Sequence, residues 1–378
     1  MQAMQRFKSM YARVITAIKR TLNLGFVFEL ARTLAAIVIA LSVAAIIILI
    51  VSDDPGFTLR VFLLNPLTQP DGFATIFSRA MPLIFTGLAA SVVLRAKQFN
   101  LFAEGAFFIG GFAGAIVAIH VGLPGLLLPV VALLAGGLVA AIFGTVPAAL
   151  KAKLDVNEFV VSLMMNFILL WIGVYFLSNV FNDERAGDIT TPLFPEHARI
   201  PYISQDSFFT SGVFIAIAAV ILVFIFFRFT RFGYNIKTTG DNLAFAKYSG
   251  INPAGPIFSS QVIGAFIAGV GGATEVLSHY RRFNWTSLPM YGFDGFMIAI
   301  IAKNNPLAVL FVALFFGYIR TGAVQMEIFT RMSSEIVTII QAVIILLVAA
   351  QAFLMSLRKR LMMRRIKGLK HVEATVEV

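Results

Sequence analysis

The chain has no cysteine, which excludes disulfide bonds and thiolate metal sites. Histidine is nearly as scarce: His120, His197, His279 and His371 fall in or beside loops or in the tail, and as a sequence pattern they suggest no catalytic or metal cluster. Charge is also thin. Only 13% of the 378 residues are charged against 59% hydrophobic, with a mean hydropathy of +0.87. At that composition a soluble domain could not cover its surface. No Walker A pattern or other nucleotide-binding run occurs, so any ATP used must be bound by another protein. What is present is a series of long apolar runs, and the expected fold class is an all-α polytopic membrane protein.

Ten spans are read from those runs: about 30–51, 80–94, a glycine-rich third span following Asn100 and Glu104, a fourth from Pro124 to Lys151, then about 157–181, 211–229, 256–278, 292–302, 307–324 and 335–357. Residues 1–28 form a basic amino-terminal segment, 29–357 the transmembrane domain and 358–378 a basic tail. The longest external loop is 182–209, and 230–256 is a cytoplasmic loop. With both termini inside, 22 of the 30 Lys and Arg residues lie on the cytoplasmic side, as the positive-inside rule requires. The formal charge of +11 thus needs no nucleic acid to explain it. The second and eighth spans are short for a bilayer core of ~30 Å.

The loop from Thr230 to Pro256 organises the chain. Its sequence predicts a helix from about Asn242 to Ser249, with Asp241 as the cap, Gly250 in the left-handed conformation that ends it and Pro253 preventing resumption. So short a helix is unstable alone in water. Phe245 and Tyr248 therefore predict a docked helix, either against its own bundle or against a partner.

Polar residues within the spans are the other signal. Asn166 reads either as an interhelical hydrogen-bonding residue or as a pore-lining one. Gly110, Gly111 and Gly114, and the run from Gly264 to Ala273, predict close helix packing. Glu104-Gly105 and Asp294-Gly295 open the third and eighth spans. The third and eighth spans are five apart, an odd number, so an inverted internal repeat is expected, with Glu104 and Asp294 at opposite membrane faces. Each carboxylate also suits the positive end of its own helix.

The pattern Gly240, Asp241, Asn242, Ala246, Tyr248, Gly250, Ile251 resembles the coupling loop of binding-protein-dependent ABC importer permeases. Two more blocks are similar to the branch importing ribose-like sugars, nucleosides or branched-chain amino acids: Phe99, Asn100, Ala103, Glu104, Gly105, and Tyr291 to Gly295 followed by an apolar run and Asn305-Pro306. Asn157-Glu158 followed by Asn166 looks like the nucleoside type. Leu101, Phe102 and Ala106 depart from the branch's pattern. The resemblance implies a permease that couples through Gly240, Asp241, Asn242, Ala246, Tyr248 and Gly250 to a partner ABC ATPase. It implies a pathway involving Asn100, Glu104, Glu158, Asn166 and Asp294, and no catalytic residue, metal or cofactor in this chain. It further implies a second permease subunit, an extracytoplasmic binding protein and residence in the bacterial cytoplasmic membrane. Nucleosides are the first substrate class, ribose-like sugars and branched-chain amino acids the alternatives. A secondary transporter would instead use Glu104, Glu158, Glu275, Asp294 and Glu335 as an ion relay, but all five fall near span ends.

Overall fold

The computed structural model describes residues 38–39, 41–69, 71–125, 127–204, 209–330, 332–333 and 335–347. The basic termini 1–28 and 358–378, and the parts of the first and tenth spans next to them, lie outside the described residues. The chain divides into two units. One contains α1 (Leu41–Val51) and α14 (Glu335–Leu347), both apolar.

The other unit, Phe57–Ser333, begins within α2 (Pro55–Leu63). It continues through α3 (Asn65–Thr68), α4 (Gly72–Arg95), α5 (Ala103–His120), α6 (Leu127–Leu154) and α7 (Glu158–Asn179). A short hairpin, β1 (Tyr202–Ser204) with β2 (Phe209–Thr210), precedes α8 (Gly212–Phe229). Then follow α9 (Arg231–Asp241), α10 (Leu243–Tyr248), α11 (Ala254–His279), α12 (Tyr291–Ile301) and α13 (Pro306–Phe329). Seven helices among the described residues, α4 to α8, α11 and α13, are long and apolar enough to cross a membrane. With the three shorter apolar helices α1, α12 and α14 they account for all ten expected segments. The all-α polytopic class is thereby established.

Of the two spans expected to be short, one differs from expectation and the other agrees with it. The second is not short: α4 starts at Gly72, because Arg79 and Pro82 are absorbed into the helix instead of ending it. The eighth, α12, has 11 residues and rises about 16 Å, half a bilayer core. The non-helical segment 280–290 precedes it and pairs through its backbone with the 182–209 loop, the Thr191 amide donating to the Phe283 carbonyl at 3.0 Å and the Phe194 amide to the Arg281 carbonyl at 3.0 Å. Its Phe283 and Trp285 pack on Phe107, Phe108 and Phe112 of α5, with Phe107 stacked on Trp285 at 5.7 Å.

The centre is a block of α5, α6 and α11 in backbone contact. A Cβ on Gly110 would lie 2.3 Å from the Gly269 Cα, one on Gly136 2.6 Å from the Gly110 carbonyl, and one on Gly272 within 1.9 Å of the Phe107 carbonyl. The glycine runs of the third and seventh spans thus mark this contact, as their composition predicts. Against the block, α4 packs on α11, α12 and α13.

Candidate functional site

The polar residues singled out in the sequence converge on the start of α5. From Phe99 to Gly105 the chain is held by one face of α7, on which Glu158, Ser162 and Asn166 recur every four residues. Glu158 Oε1 accepts from the Phe99 amide at 3.1 Å, and Ser162 Oγ from the Leu101 amide at 3.0 Å. Asn166 donates to the Leu101 carbonyl at 3.0 Å and accepts from the Gly105 amide at 2.9 Å. Asn166 thus satisfies one of the orphan N–H groups of the α5 first turn. A Cβ on Gly105 would stand 2.7 Å from Asn166 Oδ1, which accounts for glycine there. At the foot of α7, Asn157 caps the helix by accepting from Phe159 at 3.0 Å, while Lys151 bridges Glu158 at 3.0 Å and Asp155 at 2.8 Å. The hydrogen bond from Lys151 holds the exposed Asp155 carboxyl below its ordinary range.

Asn100 faces the other way. Its Nδ2 donates to Gln261 Oε1 of α11 at 2.7 Å, and its Oδ1 accepts from the Phe102 amide at 2.6 Å. Gln261, unforeseen from the sequence, is buried, and its Nε2 has no hydrogen-bond partner among the described residues.

Glu104 is not at a membrane face. It is fully buried, and its two carboxylate oxygens accept from the amides of Met290 and Gly292, each at 2.5 Å. It therefore caps α12, and Asp294 lies only two residues beyond that cap. The expectation that Glu104 and Asp294 stand at opposite faces is corrected: the amino-terminal ends of α5 and α12 meet inside the protein. Two helix ends with unpaired amides abut here, and the Glu104 carboxyl oxygens satisfy those at the start of α12. Met290 is at φ 66°, a left-handed conformation rare for a non-glycine residue, which the two-point carboxylate cap holds in place. Gly292 fits because a Cβ there would fall 2.4 Å from the Glu104 amide.

Above this junction lies a charged cluster. Arg320 of α13 pairs with Asp294, and its guanidinium sits 4.9 Å over the Tyr291 ring. Arg79 of α4 has Tyr291, Arg320 and Glu275 as electrostatic neighbours. Ser78 Oγ is 2.8 Å from His279 Nε2, and His279 Nδ1 is 3.1 Å from Glu275 Oε2. This Ser–His–Glu chain has the order of a hydrolase triad, yet Ser78 is interior to α4, whose amides there are committed to the helix and offer no oxyanion hole. Sequence reading missed Arg79 and Arg320; a cation inside an apolar run was the signal available.

At the opposite end of α4 stands the loop 230–256. Thr230 caps α9 by accepting from Gly233 at 3.0 Å. The short helix α10 follows, but its cap is Asn242, which accepts from the Phe245 amide at 3.0 Å. Asp241 is the last residue of α9, a helix the sequence reading left as loop. Gly250 is left-handed at φ 79°, as expected, and closes a Schellman motif: Gly250 N–H donates to Lys247 C=O at 3.1 Å and Ile251 N–H to Ala246 C=O at 2.9 Å. Ala246 is buried whereas Tyr248 is 92% exposed and Leu243 and Phe245 about half exposed, so the large apolar side chains of α10 are left uncovered by its own bundle. A Cβ on Gly240 would lie 2.0 Å from the Arg95 carbonyl, so α9 rests directly on the end of α4.

A family model described as branched-chain amino acid transport system / permease component matches residues 72–349, most of the chain. The chain belongs to this family of ABC importer permeases. The Glucose ABC transporter permease protein TsgB13 of Haloferax volcanii is 30% identical over 83% of this chain and 85% of its own length. The Nucleoside ABC transporter permease protein NupB of Lactococcus lactis is 27% identical over 90% of this chain and 95% of its own. The Guanosine ABC transporter permease protein NupP of Bacillus subtilis is 31% identical over 71% and 78%. No solved structure matches. The similarities support the nucleoside and simple-sugar branch of ABC importer permeases, whose members are multi-pass membrane subunits and not themselves enzymes.

Proposed function

We propose that this chain is the permease subunit of an ATP-driven nucleoside importer of the bacterial cytoplasmic membrane. ATP is hydrolysed by a partner ATPase, a second permease subunit completes the pathway, and an extracytoplasmic binding protein delivers substrate. The observation that carries the coupling role is the exposed apolar side of α10, joined through the single residue Asn242 to α9 and through Gly240 to the end of α4. An ATPase that grips Leu243, Phe245 and Tyr248 moves Gly240 against the Arg95 carbonyl, and α4 passes that motion to α12 at the Thr86–Gly295 contact. Glycine contacts of this kind pass displacement on rigidly, so a small movement of α10 selects between an outward-open and an inward-open arrangement of the assembled transporter.

On this reading Asn100 and Asp294 line the path, while Glu104, Glu158 and Asn166 position its walls through the hydrogen bonds described above. The nucleoside assignment draws support from the relatives described as nucleoside and guanosine permeases. A glucose importer is the second reading, favoured by the Haloferax relative. Uptake of labelled guanosine into vesicles that contain the whole transporter and its binding protein is the test. Uptake should require ATP and stop when the ATPase subunit is omitted. Accumulation by this chain alone, or driven by an ion gradient without ATP, overturns the importer reading; glucose uptake without guanosine uptake selects the second.

A further inference from the structure

Four helices bring opposite charges together at the level of the α12 amino terminus. Arg79 comes from α4, Glu275 from α11, Asp294 and Tyr291 from α12, and Arg320 from α13. Ionised groups at this depth are expensive and persist where they serve a path or a partner. Within the cluster the two guanidinium groups are matched by two carboxylates, and the Glu104 carboxyl lies beside them at the α12 cap. The cluster is nevertheless incompletely satisfied: Arg79 Nε and Arg320 Nε are buried and have no hydrogen-bond partner among the described residues. Nor is it sealed, because the side chains of Arg320 and Asp294 keep about a fifth of their surface exposed. Pro82 lies one turn beyond Ser78 in α4 and cannot donate to the Ser78 carbonyl, which loosens the helix beside Arg79.

We propose that Arg79, Glu275, Tyr291, Asp294 and Arg320 form a transient binding station for an uncharged, hydroxyl-rich solute, holding a pair of adjacent hydroxyl groups such as those of a ribose or hexose. The chemistry fits that class. Carboxylates accept from hydroxyl hydrogens, guanidinium forks donate to the hydroxyl oxygens, and the Tyr291 ring offers an apolar face to the ring of the solute. A phosphorylated solute would meet the Glu275 and Asp294 carboxylates and is disfavoured. The station rests on the importer reading but is shared by its nucleoside and glucose versions.

The test is uptake by cells in which the chromosomal copy of this chain carries the substitution, with membrane abundance followed by immunoblot. Maximal uptake of guanosine and of 2′,3′-dideoxyguanosine is compared at saturating concentration. Wild type should move the hydroxylated solute about tenfold faster or more, since a site built to bond hydroxyl groups discriminates strongly against their loss. Asp294→Asn should lower guanosine uptake by about tenfold and shrink the preference to below about threefold, with unchanged abundance. Arg79→Lys, which retains charge but not the fork, should do the same. If uptake of glucose but not of guanosine depends on this chain, the nucleoside reading fails, and glucose with a dideoxyglucose takes over the same comparison. An equal preference in wild type and Asp294→Asn overturns the station. So does recovery of wild-type uptake in the exchanged pair Asp294→Arg with Arg320→Asp, because exchange restores a structural ion pair but displaces the hydroxyl acceptor.

Discussion

Asn166 shows how a single amide determines the shape of a membrane protein's interior. It is fully buried, uses both ends of its side chain, and connects α7 to the turn that starts α5. Replacing it with Ala leaves the Gly105 amide and the Leu101 carbonyl without partners where water is excluded, a loss of about 1–3 kcal/mol. Asn166→Ala is therefore expected to lower the thermal unfolding midpoint of the detergent-purified protein, and Ser162→Ala, which removes one bond, to lower it less. An unchanged midpoint for Asn166→Ala would show that the ladder contributes nothing to stability. From sequence alone Asn166 was equally readable as a pore residue, since an amide in an apolar run announces that it has a partner and not which one. Glu104 was misplaced for a related reason. Its position beside a polar segment suggested a membrane face, whereas its true partners are amides 186 and 188 residues away in the chain, and no local pattern encodes that distance.

At the scale of elements, the short helix α10 was legible because its signals are local: an oxygen-bearing cap, a glycine at the end, a proline beyond. The cap moved by one residue, from Asp241 to Asn242, because α9 is helical through Asp241 and uses that residue as its last turn. Asn242→Ala should thus disturb α10 by about 0.5–2 kcal/mol, and Gly250→Val should add the strain of a β-branched residue at φ 79°. Both variants are expected to insert normally and to lose substrate-stimulated ATP hydrolysis in the assembled transporter, whereas Asp241→Ala is expected to keep more of it. Normal stimulation in both cap variants would remove α10 from the coupling route. The half-helix α12 was legible in its extent but not in its neighbours. Its 11 residues, apolar apart from Asp294, read as a short span, while the packing of Phe283 and Trp285 from segment 280–290 onto α5 has no local pattern that announces it.

For the whole molecule, the corrected position of Glu104 changes what surface chemistry should report. With no native cysteine, a single cysteine at position 248 should react with a membrane-impermeant thiol reagent only from the cytoplasmic side, and one at position 104 from neither side. Reaction of position 248 from outside would invert the topology; fast reaction at position 104 would contradict its burial. The glycine-to-glycine block of α5, α6 and α11 has a consequence of a different kind. Helices that touch backbone to backbone have no side chains between them to change rotamer, so they have no second way to fit together. Two spin labels placed on the outer ends of α5 and α11 would therefore serve as a fixed ruler, reading one distance in every nucleotide state, against which the travel of α4, α9 and α10 can be calibrated within a single molecule.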